Sequence, residues 1–226
     1  MKRNLLILLS LLPLMLMGAK TPKVSVAGLR VENMFYPLGL DTKTPRFSWI
    51  INSQSDVKEV RQTAYQIIVS SSEEKMKAGE GDLWDSGWVE SDDQLWIPYG
   101  GKPLSSNQHC LWNVRVKTNK GVTEWDFNTH HFSIGLLSES QWRGRWIGLE
   151  RLMPGEEREV LHSRLAARYL RKEFKLKNKK VMRATAYIAG MGLYRLYING
   201  HHVQTGDEMT PVSSDFRKTS TTTPTT

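Results

Sequence analysis

Short strand patterns separated by turn residues fill the chain from about residue 24 to residue 137, and no stretch there keeps the 3.6-residue period of an amphipathic helix. The segment 111–117 alternates clearly, with Trp112 and Val114 on one face and Asn113 on the other, which predicts a half-buried strand. Regular turn signals between such strands over about 110 residues favour a sandwich of two sheets.

Three further patterns in this region agree with a sandwich. The odd-numbered positions of 64–69 are Tyr or β-branched residues that share one face of a predicted strand. The turn at 119–121 contains a glycine and predicts a hairpin into 122–125. A last strand at 131–134 closes the first unit, for which we predict the boundaries 24–137.

The pattern changes after Leu137. We interpret 138–168 as a linker and the start of a second domain, with a loop or short helix before the next strand. Strand patterns then resume in three segments: 169–174, 181–189 and 193–198. Asn199-Gly200 follows at once and is a strong hairpin signal into 201–204, so a second β-sandwich has begun.

The N-terminus has the features of an export signal. Lys2 and Arg3 precede an apolar run, and Gly18-Ala19 offers a small-residue cleavage site. The run is too short to span a bilayer well. We therefore predict a signal peptide at 1–19, an exported protein in the periplasm or outside the cell, and no stable membrane anchor after cleavage.

Charge and cysteine content narrow the partners. The formal net charge is +8, and much of the basic charge lies between residues 158 and 183. We interpret that stretch as a solvated or interdomain surface and expect no nucleic acid as a partner, since an exported protein rarely meets one.

Cys110 is the only cysteine, so an intramolecular disulfide is impossible, and we predict a buried, unreactive thiol.

No candidate for catalysis or metal binding survives inspection of the motifs. Neighbours on a strand point to opposite faces, so adjacent acids or histidines cannot share one substrate or ion. This applies to Glu73-Glu74, Asp92-Asp93, Glu156-Glu157, Asp207-Glu208, His130-His131 and His201-His202. We read the acids as solvated turns and the histidines as structural or surface residues, and we predict no catalytic residue, cofactor or metal.

Tryptophan is abundant, with eight residues in 226. An exposed indole can stack on a sugar ring, while a buried one supplies much of a small core. Both interpretations stay open for the five candidates for sugar stacking: Trp84, Trp88, Trp96, Trp142 and Trp146.

Several blocks together resemble the N-terminal half of bacterial α-L-rhamnosidases of glycoside hydrolase family seventy-eight. The blocks are Leu29-Arg30-Val31-Glu32, Pro37-Leu38-Gly39-Leu40-Asp41, Thr44-Pro45-Arg46-Phe47-Ser48-Trp49, Leu83-Trp84-Asp85-Ser86-Gly87, Trp112-Asn113-Val114-Arg115-Val116, Arg168-Tyr169-Leu170-Arg171-Lys172-Glu173-Phe174 and Tyr194-Arg195-Leu196-Tyr197-Ile198-Asn199-Gly200. The resemblance implies an all-β fold. It consists of a fibronectin-type-III-like sandwich followed by an incomplete jelly-roll β-sandwich at 169–216.

In that family a later (α/α)6 barrel cleaves the sugar with inversion by means of acidic residues, and none of its catalytic motifs occurs here. The polar tail at 217–226 looks non-native. If the family's usual continuation Val-Tyr-Tyr-Asn-Thr-Tyr-Asp-Val-Thr lost one base at its start, it could be read as the residues of 220–226 and then a stop. We therefore hypothesise a one-base frameshift that cuts the chain short, natural or from sequencing; a downstream sequence with no barrel-coding frame would exclude it.

Two functions follow from these observations. The first is a non-catalytic N-terminal fragment of a secreted α-L-rhamnosidase. In this interpretation the partners are rhamnose-containing glycans, which the missing catalytic domain would bind. The second is a stand-alone carbohydrate-binding or adhesion module that uses its tryptophans as platforms. The natural rhamnoside and the oligomeric state do not follow from the sequence.

Overall fold

The structure, a computed structural model, describes residues 24–54, 56–126, 128, 130–149, 151–156, 166–176, 180–203 and 222–225. The strands of the first unit are β1 (Val24–Val31), β2 (Arg46–Ser53), β3 (Gln62–Ser70), β4 (Trp84–Asp85), β5 (Ile97–Pro98), β6 (His109–Thr118), β7 (Gly121–Val122) and β8 (His130–Ser133). One short helix, α1 (Glu73–Lys77), follows β3. The predicted signal peptide lies outside the described residues.

The first unit consists of two open antiparallel sheets. One has the order β1-β2-β5. The other has the order β4-β3-β6-β7. The fifth strand, β8, pairs the same edge of β6 as β7 does, but at the other end of β6. The long pair β3 and β6 runs in register from Ala64 opposite Lys117 to Ser70 opposite Leu111. The predicted all-β sandwich is confirmed.

The core lies between the two sheets and follows the alternation of the sequence. Phe47 and Trp49 of β2 and Trp112 of β6 are almost fully buried, together with Phe132 of β8. Phe47 is the centre, because its ring lies 4.6 Å from Trp112 and 5.8 Å from Phe132 between centroids. Aromatic rings at these separations add packing energy beyond their buried area. The inward faces predicted for β3 and β6 are confirmed.

A buried polar contact fixes the edge of this core. The indole N–H of Trp49 donates to Gln62 Oε1 at 3.0 Å. Gln62 Nε2 in turn donates to the carbonyls of Ser91 and Asp93, at 3.0 and 2.8 Å. The amide therefore satisfies a buried donor and holds the irregular segment before β5 against β3, as buried polar groups require.

The outer face of β6 differs from the prediction. Asn113 was expected to face solvent, but it is only 3% exposed, and its outward neighbour Leu111 is also buried. The reason is a cover over this end of the sheet, formed by α1 on one side and the segment around Trp125 on the other. The prediction of a half-buried strand is thus wrong at this end, because both faces are covered.

Beyond residue 138 the described chain contains few regular elements. A 3-10 turn spans Glu139–Gln141, and the strands are β9 (Ala186–Ala189), β10 (Tyr197–Ile198), β11 (His201–His202) and β12 (Thr222–Thr225). The predicted hairpin is confirmed: β10 pairs β11, and Asn199 and Gly200 take positive φ values of 50° and 81°. The backbone of β12, within the polar tail, pairs β9 antiparallel.

Three strand predictions need correction here. Residues 169–174 form no strand, 181–189 is a strand only in β9, and 193–198 only in β10. Alternation makes a segment suitable for a sheet, but a strand also needs a neighbour for its backbone hydrogen bonds, and the structure describes none beside 169–174. The segment 157–165, where a loop or short helix was expected, and residues 204–221 lie outside the described residues.

Candidate functional site

The five tryptophans predicted as sugar platforms lie in four different environments. Trp84 on β4 packs against the core, with its ring centroid 5.8 Å from Phe47 and 5.3 Å from Tyr99. Gly101 lies so close that a Cβ there would be 2.5 Å from the Cβ of Trp84. These contacts make Trp84 a packing residue of the sandwich.

Trp88 belongs to a cluster of cations and indoles on the outer face of the five-stranded sheet. The Arg115 guanidinium lies 4.9 Å from the Trp88 ring centroid and 4.7 Å from that of Trp125, and the Lys117 ammonium lies 4.5 Å from Trp88. Such contacts are attractive because the face of an indole is negative. We call Trp88, Arg115, Lys117 and Trp125 the tryptophan–arginine cluster.

Hydrogen bonds hold the arginine of this cluster in place. Arg115 donates from Nε and Nη2 to Gln66 Oε1, at 2.9 and 2.7 Å, across the β3–β6 pair. Gln66 donates to Asp85 Oδ1 at 2.8 Å. Trp125 was not among the sequence candidates. The signal that could have found it is the outward Arg115 beside Lys117 at alternate positions, since outward cations on a strand attract aromatic neighbours.

Trp96 is held by a different arginine. Its ring lies 4.4 Å from the Arg46 guanidinium, and its φ of 60° turns the chain sharply just before β5. Arg46 also pairs with Glu32 at 2.6 Å, and these hydrogen bonds from Arg46 lower the pKa of the Glu32 carboxyl. Trp96 is therefore half-exposed but already stacked.

Trp142 and Trp146 lie in irregular chain after the 3-10 turn. Trp146 is 63% exposed and Trp142 is 37% exposed, the latter close to Gly144. None of the aromatic contacts among the described residues joins two of the five candidates. Their binding of sugar stays a prediction, and Trp146 has the ring most open to a ligand.

A pocket of about 120 Å³ lies on the outer face of the five-stranded sheet, between α1 and the residues Trp125, Asp126 and Asn128. Ile68, Leu111 and Met76 supply its apolar lining, and Trp125 connects it to the tryptophan–arginine cluster. Its polar lining residues are Glu73, Lys77, Asn113, Asp126 and Asn128. The sequence did not predict this pocket, because a five-residue helix leaves no periodicity to read.

Two carboxylates line this pocket, and both already have partners. Asp126 Oδ2 lies 2.9 Å from His130 Nε2, and its Oδ1 accepts from the Asn128 backbone N–H at 2.9 Å. Glu73 Oε2 lies 3.3 Å from Lys77 Nζ on the same helix. Glu73 and Glu74 thus belong to the first turn of α1 and not to the turn that the sequence indicated.

Three histidines cluster at the pairing of β6 with β8. His131 lies 5.3 Å from His109 and 5.0 Å from Tyr36 between ring centroids, and Tyr36 also stacks on His130 at 5.9 Å. Burial lowers the pKa of His109, and His131 adds to the effect; burial and then His130 lower the pKa of His131. In the part of the chain that the structure describes, no group of three or more His, Cys, Asp or Glu side chains is arranged to hold a metal ion.

Cys110 faces the core from β6 and is fully buried. Burial raises the pKa of its thiol to about 12, and the nearby Asp82 carboxylate acts in the same direction. A thiol in that state is neither a nucleophile nor a metal ligand at neutral pH. The predicted burial of Cys110 is confirmed.

None of the helices among the described residues is long and apolar enough to cross a bilayer.

Comparison with known proteins gives two matches to family models. Residues 26–138 match the Rha78A-like, N-terminal immunoglobulin domain, and residues 179–223 match the alpha-L-rhamnosidase N-terminal domain. Immunoglobulin and fibronectin type III domains share the sandwich architecture, so the first match agrees with the observed sheets.

Individual relatives match over most of the chain. It is 36% identical over 191 residues to an alpha-L-rhamnosidase of Formosa agariphila, and 32% identical over 192 residues to one of Alteromonas. Each match covers 83% of this chain but 20% of the relative. The structure of the alpha-L-rhamnosidase from Dictyoglumus thermophilum is similar with 35% identity and a TM-score of 0.66, over 80% of this chain and 21% of that one. The chain thus spans about a fifth of the length of the relatives that it matches.

Proposed function

This chain belongs to the Rha78A-like α-L-rhamnosidase family and corresponds to its N-terminal region, and from that premise we propose that it is a non-catalytic support for a rhamnosidase barrel. Its two β-units would hold and position the catalytic domain of a secreted enzyme. That enzyme would remove terminal α-L-rhamnose from glycosides and polysaccharides with inversion, by means of acidic residues in the barrel.

The observation that carries this proposal is that the chain matches only the N-terminal domains of rhamnosidases. Both family models describe N-terminal domains of rhamnosidases, and the full-length relatives extend about four-fifths of their length outside the matched part. A family's chemistry belongs to its site and not to the sandwich that accompanies it. We therefore assign to this chain a supporting part in rhamnoside hydrolysis.

The distribution of buried surface supports the same proposal. The hydrophobic core of the described chain is contained between Val26 and Ile134. Beyond it, large apolar side chains face outwards, and Tyr169 is 98% exposed. The others include Leu170, Phe174, Leu176, Met182, Met191, Leu193 and Tyr197. Apolar surface of this extent usually belongs to an interface, and in this family the rest of the enzyme would cover it.

The chemistry of hydrolysis gives a further argument. An inverting glycosidase needs one carboxylic acid for the leaving oxygen and one carboxylate for the water, about 6.5 to 9.5 Å apart. In the described pocket Asp126 is held by His130, and Glu73 lies on the exposed surface of α1 beside Lys77. The Asn128 backbone N–H occupies the other oxygen of Asp126, so both pocket carboxylates already have partners within the domain. We expect the acid and the base to lie in the barrel instead.

Export is part of the proposal and rests on the N-terminal sequence. Residues 1–19 would act as the signal peptide and direct the protein to the periplasm or beyond. A single buried cysteine is compatible with an oxidising compartment, because no thiol is left exposed to form a wrong crosslink.

An aryl α-L-rhamnoside assay tests the absence of catalysis. We expect the purified chain to release no more aryl alcohol than buffer alone. Glu73→Gln and Asp126→Asn are the matched controls, since each keeps the shape of a pocket carboxylate and removes its charge. Turnover by the unaltered chain that either substitution abolishes would contradict the proposal and would make the pocket an active site.

The exposed ring of Trp146 favours one alternative, a carbohydrate-binding or adhesion module. A glycan array separates the two functions. Saturable binding by the chain that Trp146→Ala or Trp142→Ala removes would support the alternative. If the chain is a supporting domain, we expect Trp146→Ala and Trp142→Ala to leave the glycan-array signal unchanged.

A further inference from the structure

The second unit, which is the described chain after residue 138, contacts the sandwich at the turn before β6. Arg183, which precedes β9, donates from Nη2 to the Asn107 carbonyl at 2.7 Å. The Tyr187 hydroxyl of β9 lies 3.3 Å from Asn107 Oδ1 and 3.5 Å from the Ile134 carbonyl. Asn107 has a positive φ of 61°, which asparagine tolerates better than most residues. Its backbone carbonyl and its side chain are thus both used by the second unit.

A stack of aromatic rings on the outward face of the sheet leads to this contact. His109 of β6 and His131 of β8 face away from the core, since their neighbours Cys110 and Phe132 belong to it. The two imidazoles are nearly parallel, at 27°, with centroids 5.3 Å apart. Because His109 follows Asn107 by two positions, one end of the stack lies next to the contact with the second unit.

The charges around this stack oppose protonation of its imidazoles. Burial is the main cause that lowers the pKa of His109, and the positive charges of His131 and Arg183 lower it further. The Glu73 carboxylate on α1 acts in the opposite direction and is the weakest of these influences. Burial also lowers the pKa of His131, with a smaller contribution from His130. Both imidazoles of the stack are therefore neutral at neutral pH.

The remaining groups at the stack do not offset a charge on it. Tyr36, from the connection between β1 and β2, lies 5.0 Å from His131 between ring centroids and is neutral. Asp126 is an anion, but its Oδ2 lies 2.9 Å from Nε2 of His130 and so serves that residue. A proton on His109 would thus face Arg183 without a dedicated counter-ion.

The guanidinium of Arg183 has no means of losing its own charge, because arginine stays protonated in proteins. Its side chain is exposed and can turn into solvent instead. We propose that the Asn107 turn docks the second unit to the sandwich, and that proton uptake by the stacked histidines weakens this docking. The neutral hydroxyl of Tyr187 would keep its hydrogen bonds in acid, so the contact loosens at Arg183 first.

The docking is derived from contacts within this chain, and only its consequence for an enzyme rests on the proposed function. If the second unit connects the sandwich to a barrel, the orientation of the barrel would loosen in an acidic medium. Failure of the experiments below would remove the acid response and leave the supporting part untouched, since the aryl-rhamnoside assay tests that separately.

Histidine titration by NMR on the full chain tests whether Arg183 acts on His109. Arg183→Gln removes the charge and keeps a polar side chain, so we expect the proton affinity of His109 to rise about two- to threefold, as for one charge at a partly solvated site. Coupling is reciprocal, so a proton on His109 weakens the Arg183 contact by the same factor. Arg195→Gln, at another exposed arginine of the second unit, is the matched control. An unchanged titration of His109 in Arg183→Gln would overturn the proposal.

Hydrogen exchange with mass spectrometry measures the docking itself. From about pH 7.5 to about pH 5.5 we expect the peptide with β9 to lose about two- to threefold of its protection, after correction for the intrinsic exchange rate. His109→Gln keeps a polar side chain that does not titrate, so it should remove this loss. His201→Gln, on the exposed strand β11, should retain it. The peptide with β3 is the internal reference, because its protection reports the folding of the sandwich itself.

Arg183→Gln gives the same readout without altering the sandwich. We expect its β9 protection to be reduced already at about pH 7.5 and to fall no further in acid. Three results would overturn the proposal: β9 protection that does not change with pH in the unaltered chain, protection that is absent at both pH values, or an equal loss in Arg183→Gln.

Discussion

Asp82 is the anionic centre of a small network beside α1. Its Oδ1 accepts from the Ser71 backbone N–H at 2.9 Å, and its Oδ2 accepts from Ser71 Oγ and Lys75 Nζ, both at 2.8 Å. Burial by itself raises the pKa of this carboxyl, but the hydrogen bonds from Lys75 and Ser71 outweigh it and lower the pKa from 3.8 to about 2. The network ties the helix to the sheet that it covers.

This pKa predicts how the sandwich responds to acid. Because the folded pKa of Asp82 lies below the unfolded one, its contribution is complete above about pH 4 and is lost as the pH falls towards 2. Between about pH 5 and pH 2 we expect the free energy of unfolding to fall on the order of 1 kcal/mol more than in Asp82→Asn, after allowance for solvent screening. Urea titrations followed by tryptophan fluorescence measure this. Parallel pH curves for the two proteins would contradict it.

Single residues differ in how far the sequence determines them. The burial of Cys110 could be predicted, since a free cysteine within a strand behaves as a small hydrophobic residue and is usually buried. The partners of Arg115 could not, because the two indoles come from segments on either side of it in the chain and meet only on the folded sheet. Burial of Asn113 was missed for the same reason: its cover comes from other elements.

At the scale of elements, the connection between β1 and β2 is held against the end of β8. Ile134 forms a parallel bridge with Leu40, and the Gly135 N–H donates to the Leu40 carbonyl at 2.7 Å. A Cβ on Gly135 would be 2.7 Å from the Gly39 carbonyl oxygen, which is backbone and cannot move aside cheaply. Glycine is therefore required for this close approach.

Gly135→Ala should separate the two segments and destabilise the sandwich. We expect the free energy of unfolding to fall by about 1 to 3 kcal/mol, the usual cost of forcing extra atoms into packed structure. Gly148→Ala is the matched control, because a Cβ there meets open space. Chemical denaturation of both variants gives the answer. If Gly135→Ala is as stable as Gly148→Ala, the contact between the β1–β2 connection and the end of β8 does not stabilise the sandwich.

The elements that the sequence predicted well have a clear inward face or a recognisable turn, even where the partner strand is distant in the chain, as β6 is from β3. The hairpin at Asn199-Gly200 and the strands β3, β6 and β8 carry their own turn residues and inward faces. The segment 169–174 has equally suitable residues, yet it forms no strand. Its formation depends on a partner strand that alternation cannot supply, so strand potential there does not become strand structure.

At the scale of the whole molecule, the first unit has a buried hydrophobic core, whereas many apolar side chains after residue 138 are exposed. The sandwich buries its large side chains between two sheets, whereas the described residues after 138 add no side chain to that core. Arg183 donates to the Asn107 carbonyl at 2.7 Å, and the Tyr187 hydroxyl reaches Asn107 Oδ1 at 3.3 Å. Contacts of this kind position a second unit without burying its apolar surface.

The order of the blocks allowed the family to be recognised from the sequence, and the matches to rhamnosidase N-terminal domains confirm it. The pocket and the tryptophan–arginine cluster could not be recognised in this way. Both are formed by outward residues of β3 and β6 together with a five-residue helix and an irregular segment, and such surfaces carry no repeating pattern.

Limited proteolysis with mass spectrometry tests most directly whether the chain is a support that needs the rest of an enzyme. We predict a resistant fragment that begins near residue 24 and ends between about residues 138 and 150, because local stability follows buried apolar contacts. The exposed apolar part after it should be cut early or aggregate. A single resistant fragment that extends to about residue 216 would contradict this account, since it would mean that the second unit is already a finished fold.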